Sequence, residues 1–373
     1  MQRPTDSLSD LALSDLELGS ERLLLRRWRP DDAARVHEVM RDRSMHEFLA
    51  VPDPYTVQDA DEFVTGAGHE GRDEGTGLGC AVVDRASDEV VGSAALRFAG
   101  HHPEIGYWIA PDARGRGYAT EATSILARFG FEHGLPRIGL FCDVRNIASA
   151  VTALRAGFRF EGVLRDGAPA GGRGRADLAC FGRLPGDPGG PIAPTFPALP
   201  PGGLTDGRLV LRPIDEDDAE PLAEADDDPL TRANGFGLPP ESADDIRRYC
   251  AGGPLQWLVG RAVRCAIVDA ATGDWLGSLA VRQSGPPGVA VLGYVVHPAA
   301  RGRGVAGRAL RLVGPWLLAN GFGRLELGAK VDNVASQRAA LAGGFAPDGT
   351  MRGRLRGPDG SFSDEARFYR LAD

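Results

Sequence analysis

Apolar and polar positions along this chain fall into short blocks that switch period several times. Leu23-Leu24-Leu25-Arg26-Arg27-Trp28 reads as a first strand with its arginines on a solvated face. Pro30-Asp31-Asp32-Ala33 opens a helix running to about Met40, with acidic residues in its first turn. After a loop at Pro52-Asp53-Pro54-Tyr55-Thr56, Gln58 to about Gly66 is a second short helix. Cys80 to Asp84 and Val90 to Phe98 read as a hairpin turned at Arg85-Ala86-Ser87-Asp88. His102 to Ile109 is the next strand, after which Tyr118, Ala122, Ile125, Leu126 and Phe129 recur at helical spacing. Ile138 to Val144 is again a strand, so this region is a parallel strand–helix–strand crossover. Asn146 opens a further helix with Ala150, Val151 and Leu154 inward and Gly157 as its left-handed stop. A last strand spans about Leu178 to Leu184.

The same pattern occurs twice. Glu104-Ile105-Gly106-Tyr107-Trp108-Ile109 leads into Arg114-Gly115-Arg116-Gly117-Tyr118-Ala119, and Gly293-Tyr294-Val295-Val296 leads into Arg301-Gly302-Arg303-Gly304-Val305-Ala306, 187 positions later. That offset carries Asn146 onto Asn333, Ser149 onto Ser336 and Gly157-Phe158 onto Gly344-Phe345. Upstream it slips by a residue or two, pairing Leu25-Arg26 with Leu211-Arg212, Asp32 with Asp218 and Cys80 with Cys265. So long a period is a duplicated domain, since solenoid repeats run about 20–50 residues. The reading is a polar tail over residues 1–20, a first copy over 21–184, a Pro/Gly-rich linker over 185–204 and a second copy over 205–373. The linker composition favours an extended, polyproline-like chain that cannot pack as a core.

Composition narrows the classes. With 43% hydrophobic and 25% charged residues the chain is an ordinary globular protein, and a net charge of −9 argues against a nucleic-acid binder. Five cysteines without a CxxC pair, set in apolar runs, read as buried thiols in a reducing compartment, and no metal-ligand spacing is present. The opening Met1-Gln2-Arg3-Pro4 has no apolar leader pattern and no run reaches membrane-spanning length, so a cytoplasmic protein with no membrane partner is expected.

The turn at Arg114–Ala119 sits where a helix N-terminus opens. Unpaired backbone N–H groups, the positive end of the helix dipole and glycines that permit close approach together suit a pyrophosphate. The Arg-x-x-Gly-x-Ala signature, present twice within this order of elements, resembles the GCN5-related N-acetyltransferase (GNAT) superfamily. Glu-Ile-Gly-Tyr-Trp-Ile before it, with Asn-x-x-Ser and Gly-Phe after it, is similar to the branch that acetylates ribosomal-protein N-termini. The resemblance implies an α/β (α+β) fold of two tandem GNAT-type domains. Each would hold a mixed, mainly antiparallel sheet with a parallel crossover and a splay for acetyl-CoA. It implies acetyl-CoA as co-substrate and an amine as acceptor, with a protein N-terminus, amino acid, aminoglycoside or polyamine all open. The cofactor pyrophosphate would lie on Arg114, Gly115, Arg116, Gly117, Tyr118 and Ala119, and its pantetheine along the strand ending at Ile109. The second copy offers Arg301, Gly302, Arg303, Gly304, Val305 and Ala306 in the same way.

Acetyl transfer to an amine needs a neutral amine, support for the oxyanion and a proton for the leaving thiolate. Glu104 is the base expected beside the thioester, or else a solvated strand-face carboxylate; His101 and His102 at the strand entrance are weaker choices. Asn146 and Ser149 read structurally as an N-cap and its N3 partner. By resemblance Asn146 contacts the cofactor and Ser149 approaches its sulfur, and Asn333 and Ser336 follow suit. Many relatives carry a tyrosine acid four residues before the Gly-Phe pair, where this chain has Ala153 and Ala340, which leaves Ser149 as the acid. The second copy has Val291 at the position of Glu104 and carries Gly314-Pro315 in its cofactor helix. The first copy is therefore expected to be catalytic and the second impaired, structural or differently specific. Glu47, Asp53, Asp59, Asp61 and Glu62 could attract a cationic amine, or be helix-surface charge. A non-catalytic acyl-CoA sensor or scaffold, and a tandem acetyltransferase making a specialised thiol, stand as alternatives. Pairing between the two copies is left open.

Overall fold

The computed structural model describes residues 13–69, 71–98, 103–169, 175–235, 242–357 and 360–372. The chain divides into two compact units between Ala193 and Pro194. In the first unit the elements are β1 (Leu18–Gly19), β2 (Leu23–Arg26), α1 (Ala33–Met40), α2 (Val57–Thr65), β3 (Gly77–Asp84), β4 (Glu89–Arg97), β5 (Glu104–Ile109), α3 (Tyr118–Glu132), β6 (Ile138–Asp143), α4 (Ile147–Arg155), β7 (Arg159–Pro169) and β8 (Arg175–Arg183). The sheet runs β1-β2-β3-β4-β5-β6-β8-β7, antiparallel except where β5 lies parallel to β6. β3 is buried along most of its length, which is why it reads as an unbroken apolar run and lies inside the sheet. Helix α3 crosses between the parallel strands, packing on β4 and β5 and beside α4.

The second unit repeats the strand order with β9 (Leu204–Thr205), β10 (Leu209–Pro213), α5 (Ala219–Asp227), α6 (Pro229–Asn234), α7 (Ala243–Ala251), α8 (Gly253–Val259), β11 (Ala262–Asp269), β12 (Trp275–Ser284), β13 (Val289–Val296), α9 (Val305–Ala319), β14 (Arg324–Lys330), α10 (Val334–Ala342), β15 (Ala346–Arg356) and β16 (Phe362–Leu371), adding two short helices, α6 and α8. Its sheet order is β15-β16-β14-β13-β12-β11-β10-β9, with β13 and β14 parallel. Pro315 lies inside α9, and the helix continues through it, with Leu310, Val313 and Leu317 all buried.

The structure corrects the pattern-based reading in four places. A further strand, β7, follows the Gly157 stop and pairs with β8, closing one edge of the sheet. Residues 18–19 of the expected tail form a short strand on β2. Within the Pro/Gly-rich segment, Phe196 is 1% exposed in the second unit's core, stacked on Phe322, which a free tether would not do. Arg26 is not solvated: its side chain is 6% exposed and its guanidinium makes two bonds of 2.8 and 2.9 Å to the Asp32 carboxylate. The same carboxylate accepts the backbone N–H of Arg29 at 2.8 Å, so one buried pair pins the strand to the start of α1. Arg212 and Asp218 repeat the arrangement at 2.7 and 2.8 Å, with Arg212 33% exposed.

Removing one partner of a buried pair strands the other charge in a poor solvent, a loss of about 3–5 kcal/mol. Asp32→Ala should therefore lower the stability of the first unit by about that amount in a denaturant titration. Asp218→Ala should cost the second unit clearly less, because water reaches Arg212. Equal, small losses at both positions would contradict this account of the pair.

Candidate functional site

The site in each unit begins where strand pairing stops. β5 and β6 share one registered pair, Glu104 with Gly139, and then diverge. β13 and β14 hold four pairs, the last joining Leu292 to Leu327, before β13 continues unpaired on that side as Gly293–Val296. Peptide groups on the facing edges past these points lack a ladder partner, which an amide-bearing ligand lying between the strands would supply.

A helix opens directly above each gap. Gly115 and Gly117 have φ of 78° and 81°, and Gly302 and Gly304 both have 73°. These left-handed turns swing the chain from strand to helix, and only glycine adopts them without strain. Gly117 and Gly304 are the N-caps of α3 and α9, and neither helix has a side-chain cap. The first N–H groups of two 15-residue helices are thus left open at the positive end of the dipole. A Cβ at Gly115, Gly302 or Gly304 would meet nothing within 4 Å, so a ligand can reach the backbone.

The arginine that starts each turn faces away from it. Arg114 donates to Ile109 O at 3.3 Å, Ser44 Oγ at 3.0 Å and Met45 Sδ at 3.0 Å. Arg301 pairs with Asp228 and donates to Thr231 Oγ1 at 3.0 Å. That contact, with the Thr231 N–H, holds the Asp228 carboxyl down to about 2. Both side chains brace the turn from behind, while Arg116 and Arg303 are exposed at its rim. Tyr118 and Val305 are buried beneath the turn, and the Tyr118 hydroxyl donates to Asp84 at the end of β3. Ala119 and Ala306 occupy the second position of each helix, and Ile109 and Val296 end the strands below.

Across the gap, Asn146 Oδ1 accepts the Ser149 N–H at 3.1 Å and Asn333 Oδ1 accepts that of Ser336 at 3.1 Å, capping α4 and α10. The serine hydroxyls point to partners that the residue pattern alone did not single out. Tyr107 Oη lies 2.8 Å from Ser149 Oγ, and Tyr294 Oη lies 2.7 Å from Ser336 Oγ. The signal was present, since Gly-Tyr recurs at the same offset of 187 in both strands. Burial pushes the Tyr107 phenol up to about 12, with the Ser149 bond opposing, and it raises Tyr294 as well.

Glu104 lies on the opposite face of β5 from Tyr107 by strand alternation, and Arg97 Nη1 donates to it at 3.1 Å. In the second unit Val291 takes its place in register, but the paired position on β14 carries a carboxylate where the first unit has Gly139. That residue, Glu326, accepts from Arg324 at 2.7 Å and Arg367 at 2.5 Å. An open cleft of about 2130 Å³ joins Val291, Glu326 and Arg367 to the turn at Arg301 and to Ser336. His101 and His102 lie outside the described residues. Thr56 caps α2, with Asp59 accepting its backbone N–H in return, and Asp61 and Glu62 lie on the same helix. Among the described residues no metal-holding group of His, Cys, Asp and Glu is present, and no helix is long and apolar enough to cross a membrane.

Comparison with known proteins finds a family model that matches both units and relatives that each match less than half of the chain. The model of the acetyltransferase (GNAT) domain matches residues 22–159 and again 208–346. The chain is similar to the uncharacterized N-acetyltransferase YnaD of Bacillus subtilis, at 28% identity over 159 residues, 42% of this chain and 90% of that protein. Similarity to YoaA of the same organism is 29% over 154 residues, 40% of this chain and 85% of that protein. A solved acetyltransferase of the GNAT family from Bacillus anthracis matches at 27% identity and a TM-score of 0.39, covering 46% of this chain and 99% of that one.

The open space around the turn isolates backbone strain from crowding. Gly304→Ala should destabilise the second unit by about 1–2 kcal/mol through its left-handed backbone alone. Gly92→Ala, whose Cβ would fall 2.4 Å from Trp108 O, should cost the first unit more. Thermal melts of the two variants check the ordering, and an unchanged Gly304→Ala melt would contradict it.

Proposed function

The chain belongs to the GNAT acetyltransferase family, with one domain of that family in each unit. From that premise we propose that it transfers acetyl from acetyl-CoA to a primary amine by direct attack, with both substrates bound together. The observation that carries the reading is the duplicated pairing of a strand gap with an uncapped, glycine-opened helix N-terminus. Pyrophosphate oxygens would accept from the open N–H groups of Arg114–Ala119 or Arg301–Ala306, and the pantetheine amides would complete the unpaired strand edges.

In the first unit the chemistry divides between the two faces of β5. Glu104 stands on one face and receives a proton from the attacking amine. The nitrogen adds to the thioester carbonyl and the C–S bond breaks on collapse. On the other face, the Tyr107–Ser149 hydroxyl pair supplies the proton that the leaving thiolate takes up. Arg97 holds one oxygen of Glu104 and fixes its orientation. The residue contributions are those of positioned acid and base groups, worth about 100- to 10,000-fold each.

The test is release of free CoA from acetyl-CoA by the purified chain across a panel of amines, including peptides with free N-termini. Amine-dependent release supports the enzyme; acetyl-CoA binding without release for any amine would favour a sensor or scaffold. Glu104→Gln should lower kcat by about 100-fold or more if the first unit carries turnover, and unchanged turnover with an intact fold would remove Glu104 from the mechanism.

A pH profile tests the acid. Tyr107 keeps its proton below about 12 and loses it only as pH rises through that value. The alkaline arm of kcat should stay flat through pH ~10, where an ordinary tyrosine is half ionised. An alkaline fall centred near pH 9–10 that disappears in Tyr107→Phe would contradict the assignment.

A further inference from the structure

Both units carry a strand gap, after one registered pair in the first and four in the second, but they differ in charge on the sheet face that carries Glu104. Register gives the correspondence. Glu104 pairs with Arg97 on β4 and with Gly139 on β6, whereas Val291 pairs with Arg282 on β12 and with Glu326 on β14. Arg282 is therefore the counterpart of Arg97, and its carboxylate partner has been replaced by a valine side chain.

The consequence is visible at the neighbouring glycines. A Cβ at Gly106 would fall 2.8 Å from Arg97 Nη1, because that guanidinium folds over the strand to reach Glu104. At the matching Gly293 a Cβ would meet nothing within 4 Å. Arg282 is exposed, lines the cleft and makes no hydrogen bond or ion pair among the described residues. One strand further, Arg264 faces Ala280 in register, where the first unit sets Gly79 against Ala95. Its Nε is buried with no hydrogen-bond partner, and its guanidinium lies 5.4 Å from the centre of the Tyr249 ring. Glu326 does not neutralise either arginine, since its oxygens are taken by Arg324 and Arg367.

These cations are not placed for the cofactor's pyrophosphate. Arg282 stands beside Val291, five residues before β13 ends at Val296, which is about 16 Å at 3.3 Å per residue, and the turn begins only beyond that end. They line the same cleft at the end of β13 away from the turn. We infer that the second unit binds a small molecule bearing a carboxylate or phosphate, with its oxyanion on Arg282 and Arg264. The first unit, whose Arg97 is committed to Glu104, takes acceptors without that group. This deepens the acetyl-transfer reading, on which it rests for calling the bound molecule an acceptor. A guanidinium fork suits either oxyanion, and a buried donor without a partner is satisfied when one arrives.

The experiment is calorimetric titration of the CoA-saturated chain with matched probes. β-Alanine against β-alaninamide reads the carboxylate, and phosphoethanolamine against ethanolamine reads the phosphate. At least one anionic probe should bind about tenfold tighter than its neutral partner, the value of one charge-assisted bond. Arg282→Ala should abolish the difference and Arg282→Glu reverse it, with CoA affinity unchanged. The pair showing the larger difference identifies the oxyanion. Equal binding within both pairs, or a preference that survives Arg282→Ala, overturns the inference. Because binding is read and not turnover, failure of acetyl transfer is recorded separately, as absence of CoA release with every amine. If CoA does not bind at all, the same titration without it still reads the contribution of Arg282. Arg282 is exposed and makes no described hydrogen bond or ion pair, so its variants should fold, which a melt verifies.

Discussion

A parallel strand pair that stops pairing partway along its length is the constraint on which each unit depends. A sheet with an internal gap exposes peptide groups in its own centre, so the surrounding elements have to hold the gap open, and a ligand lying in it can complete the pairing. The serine of the capped helix beyond the gap and the tyrosine of the strand before it are bonded across the opening, at 2.8 Å in one unit and 2.7 Å in the other. The left-handed glycines turn the chain so that an uncapped helix starts over the same opening.

Duplication has preserved the backbone devices and released the side chains around them. Both units keep the glycines, the Asn caps, the Tyr–Ser pairs and the Arg–Asp pair at β2 and β10. The face beside the gap has diverged, from Gly79, Glu104 and Gly139 to Arg264, Val291 and Glu326. This division follows from physics: recognition through peptide groups needs a conformation, which many sequences share, whereas recognition through side chains needs particular charges. The second unit therefore keeps a carboxylate at the gap, contrary to the expectation from aligned positions, but on the neighbouring strand and held by two arginines.

Features that depend on near neighbours in sequence were legible. The glycine turn, the Asn146–Ser149 cap and the crossover each lie within a short stretch, and the structure has them there. Features that depend on register or on distant partners were not. Arg26 looked solvated because its carboxylate partner stands six residues on, beyond a turn. Strand β7 carries little apolar signal because it is an edge strand, and its counterpart β15 is exposed at nearly every position. Glu326 could be recognised only once β13 and β14 were in register. Phe196 was hidden by the prolines around it, although a lone aromatic in such a segment has good reason to find a core.

We propose that the strand gap and the open helix terminus form an acetyl-CoA site in both units. Titration calorimetry of the intact chain with acetyl-CoA, read for the number of sites, tests it most directly. Two sites per chain are predicted, with one lost on Arg114→Glu and the other on Arg301→Glu. A single site that only one of these substitutions removes would restrict the claim to one unit, and absence of binding would contradict it.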